Sequence, residues 1–142
     1  MCWISYHTPV KKIATEDITC YKLFTSDSIV WKKRKFWFSK KIIEKLISVY
    51  MEYTYIPYKE NPKVNLTCLH ERDWMWDNIY HWNIEEGYHS YETLDRVCIY
   101  FHYKRGRHFI TKCIIPKGSE YYINEDHEIV SSNIIVTDKI VK

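Results

Sequence analysis

The segment HFITKCIIPKGSEYYINEDHEIVSSNIIV, residues 108–136, decides the fold class. Residues 108–115 are rich in β-branched and aromatic side chains, and Pro116-Lys117-Gly118-Ser119 has the composition of a turn. Glu120-Tyr121-Tyr122-Ile123 reads as a second strand, and Asn124-Glu125-Asp126-His127 breaks the chain before Ile129-Val130 and Ile134-Ile135-Val136. Strands joined by such short turns pair antiparallel, because a parallel neighbour needs a crossover of a dozen or more residues.

Working outward, Ile99-Tyr100-Phe101-His102-Tyr103 and the turn Lys104-Arg105-Gly106-Arg107 complete a hairpin with residues 108–115, its tip cationic. Ahead of it Leu94 and Val97 mark a short helix of about residues 91–98, with His89 or Ser90 as its cap. Near the start of the chain, Ile18-Thr19-Cys20-Tyr21-Lys22-Leu23-Phe24 reads as a strand. Ile29-Val30-Trp31 and Phe36-Trp37-Phe38 flank the run Lys32-Lys33-Arg34-Lys35 as arms of a second extended element. Ile43, Leu46, Ile47 and Tyr50 follow Ser39 at i, i+3, i+4 and i+7, which predicts the main helix over about residues 40–51. The β-prone Tyr53-Thr54-Tyr55-Ile56 before Pro57 ends it, and a short strand is expected over residues 64–69. Too few βα units alternate for a doubly wound sheet. The expected fold is therefore α+β: one domain, residues 1–142, of antiparallel sheet with one main and one short helix.

Composition narrows the class further. The chain has 142 residues, 46% of them hydrophobic and 27% charged, which fits a globular core and excludes a disordered chain. No apolar run reaches the ~18–20 residues that span a bilayer, and the first residues lack the pattern of a signal peptide, so a cytoplasmic protein without a membrane partner is expected. Five cysteines, an odd number without CxxC spacing, read as reduced thiols. A formal charge of +3 is too small to name a nucleic-acid partner, and none is expected.

Chemistry concentrates in a few places. Gly87-Tyr88-His89-Ser90-Tyr91 lies at the expected strand-to-helix junction, where exposed N–H groups suit an anion. His89 and Ser90 would donate there, and Tyr88 and Tyr91 would stack. The aromatic stretch of residues 74–82 offers Trp82 as a platform for a nucleobase, with core packing as the competing account. Lys104, Arg105, Arg107 and Lys117 supply turn cations for phosphate. Cys68, His70, His81 and His89 do not match paired zinc-ligand spacing, so no metal is expected, and no cofactor loop of the GxGxxG or GxxxxGK[ST] kind occurs. Glu85 and Glu86 are adjacent and read as solvated charge rather than a catalytic pair. No catalytic set is assigned.

Cys20-Tyr21-Lys22, Glu85-Glu86-Gly87-Tyr88-His89-Ser90-Tyr91, residues 113–122 and Glu128-Ile129-Val130-Ser131 resemble small phage and prophage accessory proteins, mostly over the C-terminal half. The GYHSY segment followed by a short helix and a strand ending in Pro-Lys-Gly also looks like the central part of ADP-ribosyltransferase-like folds. That second resemblance implies His7 and Glu120 as the positions an active enzyme would use. The first implies a viral accessory protein in the host cytoplasm. Together with the aromatic and cationic segments, it leads to the expectation of a non-enzymatic sponge. Such a protein would sequester a phosphate-bearing nucleotide immune signal and counter host antiviral defence, and it is a possible homo-oligomer with a small-molecule ligand. The competing expectations are a nucleotide-acting enzyme, ADP-ribosyltransferase-like or a phosphodiesterase using His89, and a protein-binding inhibitor of a host factor.

Overall fold

The longest pairing in the molecule joins β3 (Ile18–Thr25) to β11 (His108–Ile115), antiparallel and in register from His108↔Thr25 to Ile115↔Ile18. Both strands come from segments that the β-branched pattern marks. The computed structural model describes residues 3–25, 30–33, 39–42, 46–47, 54–72, 78–103 and 108–142.

Around this pair stands a seven-stranded sheet in the order β14-β11-β3-β10-β13-β12-β2. Its remaining strands are β2 (Lys12–Ile13), β10 (Tyr88–Tyr91), β12 (Glu120–Ile123), β13 (Glu128–Ser131) and β14 (Ile135–Ile140). A three-stranded sheet, β1-β9-β8, is built from β1 (Trp3–Ser5), β8 (Leu69–Arg72) and β9 (Tyr80–Ile84). Two small hairpins complete the strands: β4 (Val30–Lys33) with β5 (Ser39–Ile42), and β6 (Leu46–Ile47) with β7 (Thr54–Tyr55). All these pairings are antiparallel. The β-rich expectation holds.

Strand periodicity sorts the core onto the two faces of the large sheet. On one face Cys20, Phe24, Phe109, Cys113, Ile115 and Ile129 pack with Leu46 and Tyr55 of the β6–β7 hairpin. The opposite face carries two clusters. Leu23, Tyr91 and Ile110 meet Val97 of α1 (Leu94–Tyr103), while Tyr122 and Val130 meet Trp3 and Ile84 of the small sheet. The Trp3 indole N–H also donates to the Glu128 carbonyl at 2.9 Å, tying the small sheet to β13. Where the β11–β14 register shifts between Thr111 and Cys113, the Thr137 hydroxyl donates to the Lys112 carbonyl at 2.6 Å and occupies an acceptor at the irregularity.

Four expectations need correction. The short strand expected over residues 64–69 begins only at Leu69, as β8, residues 64–68 being irregular. The main helix over about residues 40–51 is absent from the described part of that segment, where Ser39–Ile42 and Leu46–Ile47 are strands. Helical spacing of apolar residues is a weak preference, and here partners decide: Leu46 pairs with Tyr55, is fully buried, and packs in the Phe24 cluster. Ile43 and Tyr50 lie outside the described residues. The short helix begins at Leu94 rather than near residue 91, because Tyr88–Tyr91 hydrogen-bonds to β13 as a strand. Thr93, not His89 or Ser90, is its cap, accepting from the Arg96 N–H at 3.4 Å. Finally, residues 99–103 belong to that helix and form no hairpin with β11, whose two neighbours are β3 and β14. No described helix is long and apolar enough to cross a membrane.

Gly87, in the turn from β9 to β10, has φ +128°, and a Cβ there would lie 2.5 Å from Val130 Cγ2 and 2.7 Å from Leu66 Cδ2. Both the backbone angle and the close approach of the Val130 and Leu66 side chains require glycine. Gly87→Ala is expected to destabilise the fold by about 2 kcal/mol or more, as overpacking adds to backbone strain. Chemical denaturation checks this, and an unchanged midpoint would contradict it.

Candidate functional site

A cleft of about 490 Å³ opens beside the turn that holds Gly87, lined by Thr54, Tyr55, Asn61, Pro62, Val64, Glu85, Glu86, Gly87 and Tyr88. Three parts of the chain build it. The β6–β7 hairpin brings Tyr55, the β9–β10 turn brings the carboxylates, and the segment after β7 closes the side. That segment is fastened by its own hydrogen bonds: Asn61 donates to the Ile134 carbonyl at 2.7 Å, and the Val64 N–H donates to the Ser132 carbonyl at 2.9 Å. The Tyr88 hydroxyl donates to the Pro62 carbonyl at 2.6 Å, fixing that ring against the cleft wall. Tyr55 and Tyr88 meet edge to face, with centroids 6.2 Å apart and planes at 61°.

Beneath Tyr55 lies a buried cation. The Lys22 ammonium sits 5.7 Å from the Tyr55 ring centroid and donates to the His89 carbonyl at 2.5 Å. The side chain is only 6% exposed, and burial pulls its pKa down to about 8, partly offset by the nearby Cys113 and Cys20 thiols. Composition gave no hint of this residue, since a single Lys within a strand normally faces water. The signal available was its place between Cys20 and Phe24 at i±2, which aligns it with a core face once β3 is central.

The GYHSY segment does not present its side chains to one face. Along β10 successive side chains alternate, so Tyr88 and Ser90 share the Tyr55 face while His89 and Tyr91 point to the opposite one. Of the expected ligand residues, Tyr88 alone lines the cleft among those described. Tyr91 is a core residue against Val97, and Ser90 is buried in the sheet, its hydroxyl near the Cys20 thiol. The His89 ring is neutral. Burial lowers its pKa to about 4, the Lys22 charge adds to this, and a hydrogen bond to the Glu85 backbone opposes it. Its sealed Nε2 has no partner among the described residues.

The helix N-terminus is not the expected anion cradle. Glu92 pairs with His127, and Asp126 accepts from Arg96 at 3.0 Å, so carboxylates already flank the first turn of α1. Trp82 lies on the small sheet, half-buried, stacked on His70 at 4.4 Å and 17°. Tyr80 and Arg72 continue that row, the guanidinium 5.7 Å from the Tyr80 centroid. These groups occupy one another's faces, a ladder that stabilises the β8–β9 pair. Lys117 is exposed in the β11–β12 turn, where Asp17 accepts its backbone N–H at 2.8 Å, and it lies outside the cleft. Lys104, Arg105 and Arg107 fall outside the described residues. His7 sits in a second, smaller cleft with Glu125, whereas Glu120 pairs with Lys11 at 3.7 Å. No group of three or more potential metal ligands occurs among the described residues.

The Lys22 environment sets a pH dependence. Between pH 8 and 10.5 the unfolded chain holds a proton that the folded lysine has lost, so stability rises with pH across that window. The total is on the order of 3 kcal/mol, at about 1.4 kcal/mol per pKa unit. Lys22→Met is expected to flatten this rise relative to the natural chain in denaturation measured across the window. An equal rise in both proteins would contradict the placement. The chain matches no protein-family model, curated protein or solved structure, so the reading of function rests on this geometry.

Proposed function

We propose that the protein is a non-enzymatic binder that holds a nucleotide by its base in the Tyr55–Tyr88 cleft. The observation that carries this reading is the lining itself: the half-buried Tyr88 ring, backed by the buried Tyr55, beside two exposed carboxylates in one concavity. Its volume falls in the ~300–1,000 Å³ range of small-ligand sites. Stacking on an aromatic face contributes about 1–3 kcal/mol per base. Glu85 and Glu86 favour a base edge that donates hydrogen bonds, as guanine's N1–H and N2–H₂ do, since a carboxylate accepts two parallel donors well. The same charges repel phosphate, so the phosphates of such a ligand face away from the carboxylates. The biological form of this reading is sequestration of a nucleotide signal by a viral accessory protein, with release of the ligand unchanged.

Turnover is disfavoured by the position of the one histidine in the GYHSY segment. Its ring projects from the face of β10 opposite Tyr88, and burial lowers its pKa to about 4, away from the range that suits general acid–base work near neutral pH.

Calorimetric titration with guanosine, guanosine monophosphate, adenosine and cyclic dinucleotides tests the proposal. Guanine compounds are expected to bind at least tenfold more tightly than adenosine, and guanosine nearly as well as its monophosphate. Tyr88→Ala and Glu86→Gln are each expected to weaken binding about tenfold or more, the size of one lost stacking or charged hydrogen-bond contact. Heating the complex should release intact ligand. Recovery of altered product would identify an enzyme, and binding untouched by both substitutions would place the ligand elsewhere.

A further inference from the structure

We propose that Cys20 and Cys113 form a redox-convertible pair that closes a disulfide across β3 and β11 when a small two-electron oxidant, such as hydrogen peroxide, reaches the core. The two residues are direct partners in the β3–β11 register. Directly opposed residues of antiparallel strands have Cα atoms about 4.5 or 5.5 Å apart, depending on the pair type. Both spacings lie inside the ~4.4–6.8 Å range of disulfides, so no backbone movement is needed. Opposed side chains project from the same face, and both thiols are free and fully buried there. Each thiol shifts the titration of the other, and Cys113 donates to the Thr111 carbonyl at 3.8 Å.

The surroundings favour reaction at Cys20. Lys22 follows it by two residues on the same strand face, and its positive charge acts on both thiols. Burial pushes the Cys20 thiol up, yet the Cys113 and Ser90 side chains and the Lys22 charge leave it below its usual pKa. Cys113 is driven well above its own, by burial and by Cys20. The pair thus gives up its first proton more readily than its second, leaving a thiolate beside a thiol.

The chemistry balances without any further group. The Cys20 thiolate attacks one peroxide oxygen, the O–O bond breaks, and hydroxide leaves as Cys20 becomes a sulfenic acid. The Cys113 sulfur then attacks the Cys20 sulfur, the S–O bond breaks, and the departing oxygen leaves as water with the proton from Cys113. Each sulfur loses one electron, and the two peroxide oxygens gain them.

The test uses the full chain carrying Cys2→Ser, Cys68→Ser and Cys98→Ser, so that only the candidate pair remains. After treatment with dilute peroxide, the folded protein is unfolded, alkylated and digested. The expected result is a linked pair of peptides containing Cys20 and Cys113, separated again by dithiothreitol, with a melting temperature several degrees above the reduced form. The natural chain should give the same linkage, which keeps the result independent of the three substitutions. Two thiols that remain fully alkylatable, or that pass to sulfinic acid without linkage, would overturn the proposal.

Discussion

The register between β3 and β11 is the constraint on which the rest of the structure depends. It assigns every side chain of two central strands to a face, because a slip of one residue would exchange the faces. With Phe109 opposite Phe24 and Cys113 opposite Cys20, one face becomes the bed for the β6–β7 hairpin. With Ile110 opposite Leu23, the other becomes the bed for α1. The same register places Lys22 opposite Thr111 on the first face, which is how a charged residue comes to lie in the core.

That buried ammonium is costly, and its surroundings offset only part of the cost. It has the His89 carbonyl, the Tyr55 ring and two thiols, but no carboxylate among the groups that shift its titration. The Thr111 hydroxyl, buried on the same face, has no hydrogen-bond partner among the described residues. A core of this size could have used a leucine at position 22. The polar row across β10, β3 and β11 departs from the packing rule at the place where the sheet backs onto the cleft, and such departures cluster at functional positions.

Much of the sheet was legible because its signals are local. Residues 18–24, 108–115 and 120–123 are enriched in β-branched and aromatic types and bounded by turn chemistry, and all three are strands. The helix over residues 40–51 was misread because its evidence, four apolar residues at helical spacing, says nothing about what lies opposite. The pairing of Leu46 with Tyr55 is invisible in that window. The start of α1 was misplaced for a related reason, since Ser90 is a good cap by type but is held in β10 by Ile129 across the sheet. The cleft was scarcely legible at all. Tyr88 was singled out, but Tyr55, Asn61 and the two glutamates join it only through tertiary contacts between segments far apart in the chain.

The alternation along β10 carries the strongest argument about function. A strand cannot present consecutive residues to one ligand, so Tyr88 and His89, neighbours in sequence, belong to different environments. Tyr88 meets a cleft rimmed by carboxylates. His89 lies on the opposite face, across from Val130, and its carbonyl is what reaches toward the Tyr55 face, through Lys22. An acid–base catalyst needs its titrating atom within hydrogen-bond reach of the ligand and a pKa near the working pH. The His89 ring projects from the face of β10 opposite Tyr88, and burial lowers its pKa to about 4. The two carboxylates are exposed and sit on a turn, suited to accepting hydrogen bonds from a bound base. Among the described residues the cleft therefore sets the Tyr88 ring beside two exposed carboxylate acceptors, and the proposed holding of a nucleobase rests on that pairing of stacking surface with acceptors.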